Sequence, residues 1–297
     1  MERRRGRRGV TELFIGLEPV PAYALGMKRY LISLALLFAV HNAARADVLA
    51  SSWVDFREAR IRLLIDTDGP EGALVAGLEI TLAEGFKTYW RQAGDSGVPP
   101  MFDFGGTQGI DALQVAFPFP ERFDDGAGGK AWGYKHHVIL PISGERKGKD
   151  YRLALALDFA VCGTMCIPLN GKLELSPATG QKLVGTEADA LALARAALPK
   201  ADDGRPTTVV RTEAGKHRWR VTLPYAGDVS AMTAFVEGNG FLDVEAVEAG
   251  TGGAVAVAIS GQPAPGTGER FGPVRLTFGT KERSFEKMLD LDNAPGP

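Results

Sequence analysis

Only two cysteines and four histidines occur in this chain of 297 residues. Two thiols close at most one loop, so a disulfide-stapled scaffold is excluded and the chain must rely on its own apolar core. Long apolar runs are missing too. The main one reaches only from Tyr30 to Val40 and is broken by Ser33, far short of the roughly 20 residues that a membrane-spanning helix needs. An excess of positive charge is absent: 34 Lys and Arg stand against 36 Asp and Glu, net −2. That balance excludes the basic surface expected of a nucleic-acid binder. There is no internal repeat of 20 to 50 residues, no C-x-x-C within a βαβ pattern and no G-x-S-x-G nucleophile motif.

The apolar run belongs to an export signal. Met27-Lys28-Arg29 forms a basic n-region, Tyr30–Val40 an h-region and Ala44-Arg45-Ala46 an A-x-A cleavage site before Asp47. Residues 27–46 are therefore expected to act as a cleaved Sec-type signal, with a periplasmic destination and no membrane insertion of the mature chain. Residues 1–26 carry Arg3, Arg4, Arg5, Arg7 and Arg8, separated from the apolar run by Glu12 and Glu18. This argues for initiation at Met27 rather than for a twin-arginine signal. Residues 1–46 hold eight of the 34 basic and three of the 36 acidic residues, so their removal leaves 26 against 33, net −7.

Beyond Asp47 the pattern is mainly of period two, bounded by Gly, Pro and Asp clusters, which predicts strands and turns. Strands are expected at 60–65, 74–82, 113–117, 137–142, 151–161 and 166–175, as an antiparallel sandwich. Two Gly-rich stretches, 84–107 and 123–133, are expected to be loops. One helix is expected at 186–198, with Thr186 as N-cap and Pro199 as stop. It leads into a polar linker containing Asp202, Asp203 and Gly204. A second set of strands is expected at 207–212, 217–223, 232–236, 255–259 and 274–278. The expected organisation is all-β: an extension and signal at 1–46, a first sandwich domain at 47–182, a helix and linker at 183–204, and a second small sandwich at 205–297.

The chemistry concentrates in Cys162-Gly163-Thr164-Met165-Cys166. A three-residue hairpin tip sets its two flanking cysteines opposite each other, within disulfide reach of about 5.5 Å between Cα atoms. A bond closing so short a loop stabilises the fold by only about 2 kcal/mol in the chain-entropy model. A staple of that size adds little to a domain with its own core. Thiol–disulfide exchange, in which one thiolate attacks and its neighbour resolves, gives the pair a better reason to exist. Either cysteine can be the attacking one on this reading. Two other readings compete with it. One is Cu(I) binding by the two thiols with Met165 and His136 or His137, and the other a redox-inert module with a structural disulfide.

Several ordered segments carry a resemblance: EITLAEGFKTYWRQAGDSGVPP at 79–100, FDFGG at 102–106, GYK at 133–135, VILP at 138–141 and AVCGTMCIP at 160–168. Together they resemble the N-terminal periplasmic domain of the DsbD and ScsB family of thiol:disulfide interchange proteins, over residues 50–180. The resemblance implies an immunoglobulin-like β-sandwich without a cofactor, whose catalytic cysteine pair matches Cys162 and Cys166. It implies electron transfer between a membrane-embedded reductase and periplasmic thiol-disulfide proteins. The family also shields its pair with aromatic side chains and a cap loop. Tyr89, Trp132 and Tyr134 match those positions, with the Gly-rich segment 123–133 as the cap. The family's multi-span membrane domain and C-terminal thioredoxin-like domain have no match here, so the electron donor is expected to be a separate protein.

Other polar motifs read as structural. His136 and His137 are adjacent, and on a strand they point to opposite faces. Asp95-Ser96-Gly97 reads as a turn with the Asp side chain bonding its own backbone. Asp124 and Asp125 read as a solvated loop face, and Trp53, Trp90 and Trp219 as core or edge aromatics. No metal site is expected.

Overall fold

Alternation of apolar and polar residues becomes strand wherever one face must be buried. The computed structural model describes residues 47–95, 97–124, 128–201, 206–213 and 216–297. The signal at 27–46, with its cleavage site, lies outside the described residues. So do Ser96, the cap residues Asp125 and Gly126, and the linker residues Asp202, Asp203 and Gly204.

In chain order the first part comprises β1 (Val48–Ala50), β2 (Val54–Asp55), β3 (Ala59–Asp66), β4 (Ala73–Leu82), β5 (Lys87–Gly94), β6 (Met101–Asp103) and β7 (Ile110–Val115). It continues with β8 (Glu121–Asp124), β9 (Lys130–Lys135), β10 (His137–Arg146), β11 (Leu153–Cys162), β12 (Cys166–Leu175) and β13 (Gln181–Lys182). One sheet has the order β13-β1-β3-β4-β10-β7, with β2 beside β3; the other has the order β12-β11-β5-β9-β8, with β6 beside β11. Their facing sides share a core that includes Ile61, Leu63, Leu78 and Leu140 from the first sheet and Trp90, Leu155 and Leu157 from the second. The fold is all-β and sandwich-like.

Two expectations change here. The stretch 84–107 was expected to be mostly loop, yet it contains β5 and β6. β5 carries Tyr89 and Trp90 buried in succession, so both of its faces are covered and the alternation that would reveal it is lost. Likewise 123–133 is largely a hairpin of β8 and β9, paired from Glu121↔Gly133 to Asp124↔Lys130.

Helix α1 (Thr186–Ala196) begins after Gly185, which takes the N-cap position with φ 66°, and no side chain caps it. Thr186 is thus the first helical residue rather than the cap. Expected as a connector, α1 instead lays Ala188 and Leu191 against Val48, Ala50, Leu64, Val75 and Ile139 on the outer face of the first sheet. Gly77 makes that approach possible, since a Cβ there would meet Leu191 Cδ1 at 2.8 Å. Beside the helix, Glu79 is buried between Arg62 Nε at 2.6 Å and His137 Nε2 at 2.8 Å.

The second part comprises β14 (Lys200–Ala201), β15 (Thr208–Arg211), β16 (Arg218–Pro224), β17 (Thr233–Glu237), β18 (Phe241–Ala249), β19 (Ala254–Gln262), β20 (Pro273–Gly279) and β21 (Ser284–Asp290). Its sheets, β14-β21-β20-β17 and β15-β16-β19-β18, enclose a core around Trp219, Val257, Phe271 and Leu276. The parts are not beads on a string, because residues 46–297 form one compact unit. Phe235 of β17 is fully buried and belongs to the core of the first sandwich. Its ring lies 5.5 Å from Trp90, 5.3 Å from Phe119 and 5.2 Å from Trp132. Beside it Arg91 bonds Glu237 at 2.7 Å and Glu286 at 2.5 Å. Among the described residues no helix is long and apolar enough to cross a membrane.

Two outcomes follow from this packing. A Cβ on Gly133 would stand 1.9 Å from the Thr88 carbonyl oxygen, so β5 and β9 would have to part. Gly133→Ala should cost about 3 kcal/mol or more in urea unfolding. For Glu79, burial favours the neutral acid, but hydrogen bonds and charge from His137 and Arg62 outweigh it and hold the carboxyl below its ordinary value. The unfolded chain therefore takes up this proton first as pH falls. The stabilisation is complete above the unfolded value of about 4.3 and is lost as pH drops through the lower folded value. Unfolding measured across that range should show the loss, and Glu79→Gln, less stable at neutral pH, should show a shallower acid dependence.

Candidate functional site

β11 and β12 pair in unbroken register from Leu153↔Leu175 to Cys162↔Cys166. The two cysteines end that ladder directly opposite each other and are joined by a disulfide, with Cα atoms 4.0 Å apart. The separation falls within the roughly 5.5 Å reach expected, and it is short because this is the close type of antiparallel pair. Gly163-Thr164-Met165 forms the tip, closed by the Gly163 amide donating to the Met165 carbonyl at 3.1 Å. The two sulfurs differ in access: Cys162 is 2% exposed, whereas Cys166 is an exposed residue next to the 74% exposed Met165.

Cys162 lies in a small cluster with Tyr89, Ala93, Phe123, Ala131 and Ala160. The Tyr89 hydroxyl donates to Cys162 Sγ at 2.8 Å and is 3.4 Å from Cys166 Sγ. It is held there by its strand. β5 joins β11 through Val161↔Thr88 and Cys162↔Lys87, and Thr88 Oγ1 donates to the Ala160 carbonyl at 2.9 Å. Gly97 packs on the ring, since a Cβ there would fall 2.6 Å from Tyr89 Cδ1. The Asp95 carboxylate accepts from the Lys130 amide at 2.8 Å, tying the end of β5 to the start of β9.

The other two expected shielding residues lie elsewhere. On β9, Ala131 faces the cysteine cluster, and alternation turns Trp132 and Tyr134 to the opposite side, into the sandwich core. Trp132 packs on Phe235. Tyr134 donates to the Pro118 carbonyl at 2.8 Å, and burial pushes its phenol well above the ordinary value, so it stays neutral. The other aromatic in the Cys162 cluster is Phe123, on β8. Phe86 covers the tip, lying 3.2 Å from where a Gly163 Cβ would be. Lys87 places its ammonium 4.5 Å from the Phe123 ring centroid and bonds the Asp124 carbonyl at 3.0 Å; the Lys135 ammonium is 5.6 Å from the same ring. Phe86, Lys87 and Phe123 were not singled out from sequence. Their signal was adjacency, since Phe86 and Lys87 sit inside the same GFKTY run as Tyr89.

A hydroxyl donor at sulfur favours a thiolate over a thiol. The arrangement therefore suits a pair of one exposed and one buried cysteine that share a hydroxyl donor. His137 is engaged with Glu79, and His136 sits in the turn before it with φ 61°. No group of three or more metal-ligating side chains occurs among the described residues.

The sequence of residues 61–178 matches the family model for the thiol:disulfide interchange protein DsbD, N-terminal. No curated protein sequence matches the chain. In fold the chain is similar to the crystal structure of the N-terminal periplasmic domain of ScsB from Proteus mirabilis. The TM-score is 0.65 at 19% identity, over 82% of this chain and 98% of that one.

This placement separates the candidate shields. Phe123→Ala should raise the rate at which the reduced protein reacts with a small aromatic disulfide by several-fold, followed by stopped-flow absorbance. Tyr134→Phe, on the far face of β9, should leave that rate unchanged.

Proposed function

We propose, on the match of residues 61–178 to the family model for the thiol:disulfide interchange protein DsbD, N-terminal, that the protein performs thiol–disulfide exchange through Cys162 and Cys166. The observation that carries this reading is the asymmetry of the pair: an exposed Cys166, a buried Cys162, and one tyrosine hydroxyl within reach of both sulfurs.

In the reduced protein, the Cys166 thiolate attacks one sulfur of a partner's disulfide. A mixed disulfide forms, and the partner's other sulfur leaves as thiolate and takes up a proton. Cys162 then loses its proton and attacks Cys166 Sγ. The internal disulfide closes and the partner's second thiolate is released, to be protonated in turn. The partner disulfide gains two electrons and this pair loses two. Tyr89 donates to whichever sulfur carries the charge, and Phe123 and Phe86 restrict approach to the buried side. Recharging requires a second dithiol donor, which we take to be a separate membrane-embedded reductase, with periplasmic disulfide proteins as acceptors. That location is the one in which such acceptors exist, and it fits both the signal at 27–46 and the periplasmic ScsB domain of similar fold.

The test is a trapping experiment. Cys162→Ala should accumulate a mixed disulfide through Cys166 when mixed with an oxidised thioredoxin-like protein, and Cys166→Ala should form at least tenfold less. The pair should equilibrate with glutathione or dithiothreitol at a potential above about −300 mV, with the fold intact after reduction. A potential well below that value, or unfolding on reduction, would establish a structural bond instead.

A further inference from the structure

Three consecutive residues of β5 divide their work between the two sandwiches. Tyr89 reaches the sulfurs, while Trp90 and Arg91 hold the second sandwich. The Trp90 ring packs 5.5 Å from Phe235. Arg91 bonds Glu237 through both nitrogens, at 2.9 and 2.7 Å, and Glu286 at 2.5 Å. The neighbouring strand β9 repeats the arrangement: Ala131 faces Cys162 and the next residue, Trp132, packs 5.2 Å from Phe235. Lys130 reaches Asp243 at 3.4 Å, and Glu121 of β8 accepts from Lys281 at 2.9 Å. Every strand that contributes a side chain to the cover of Cys162, except β11 itself, is therefore also fastened to the second sandwich.

The fastening matters because these strands are weakly tied to the cysteine hairpin. β5 shares only two register pairs with β11, at Thr88 and Lys87, and its pairing with β9 is interrupted between Tyr89 and Gly94. A segment with so few ladder bonds keeps its position through side-chain packing, and here the packing partner is Phe235. The Arg91 guanidinium, held by two carboxylates, removes the remaining freedom of the strand to slide.

We propose that Phe235 is a positioning residue for the redox pair: acting through Trp90 and Trp132, it holds the Tyr89 hydroxyl at the sulfurs and Phe123 over Cys162. The second sandwich then forms part of the exchange site although the buried cluster described around Cys162 is drawn from the first sandwich. This inference rests on the exchange reading for its purpose, but not for its measurement. A hydroxyl bonded to sulfur favours the reduced pair, because a thiolate accepts a hydrogen bond far better than a disulfide does. Loosening Tyr89 should therefore make the disulfide harder to reduce. Loosening Phe123 should make the reduced pair quicker to react with small reagents.

The experiment is a double-mutant cycle on the intact protein. The equilibrium constant for reduction by glutathione is measured for wild type, Tyr89→Phe, Phe235→Ala and the double variant. Tyr89→Phe should lower the constant about tenfold, equivalent to about 30 mV for a two-electron couple. Phe235→Ala should lower it by a comparable factor, and in the Tyr89→Phe background it should change it less than twofold. Phe235→Leu, which keeps the cavity filled, should restore most of the wild-type value. The milder Glu237→Gln, which weakens the Arg91 clamp and leaves the aromatic contacts, should move the constant in the same direction. An equilibrium constant unchanged in both Phe235→Ala and Glu237→Gln would overturn the proposal, as would equal effects of Phe235→Ala with and without the Tyr89 hydroxyl. If Phe235→Ala does not fold, Glu237→Gln, alone and combined with Tyr89→Phe, decides by the same criterion. None of these measurements needs a partner protein, so failure of the trapping experiment leaves this result readable.

Discussion

Tyr89 and Gly133 face each other across two strands that come closer than a methyl group allows. That contact sets the depth of β5 in its sheet, and much else follows from the depth. With β5 pressed against β9, Tyr89 reaches the sulfurs, while Trp90 is turned into the core, where an aromatic from the second sandwich meets it. A residue larger than glycine at 133 would push the strands apart and move the hydroxyl donor, the shield and the interface together. A single steric limit couples core packing to the geometry around the disulfide.

The buried and half-buried ion pairs play a different part. Arg62, Glu79 and His137 form a polar group at the foot of α1, and Arg91, Glu237 and Glu286 form another where the sandwiches meet. Taking these charges out of water offsets much of what their attraction contributes. Their value lies in direction, because each bonds well in one register only. The first fixes β10 against β4 and the helix; the second fixes β17 and β21 against β5.

Much of this was legible in the sequence. The cysteine hairpin was visible because a five-residue spacing between two strand patterns admits few other structures, and Tyr89 because a family resemblance pointed to it. The packing around Cys162 was not legible. Moving from Trp132 to Phe123 means reversing the parity of a strand, and parity can be read only by counting from a known register. Here the count passes through a register shift between Tyr89 and Gly94 and a Gly-rich hairpin. β5 itself was hidden because burial on both faces erases alternation. Phe235 looked like an ordinary core residue of its own strand pattern, and no local signal says that a buried aromatic will serve a neighbouring domain's core.

The ten-pair ladder between β11 and β12 has a consequence for the lifetime of intermediates. The hairpin, and not the sulfur–sulfur bond, brings Cys162 and Cys166 together, so breaking the bond does not release them to diffuse. In a mixed disulfide the resolving thiol stays at a very high effective concentration beside the sulfur it must attack, as in any well-oriented intramolecular reaction. A partner joined through Cys166 would therefore be held only briefly. If the pair exchanges as proposed, the slow step of a turnover would fall on the partner's arrival and departure rather than on the exchange of bonds.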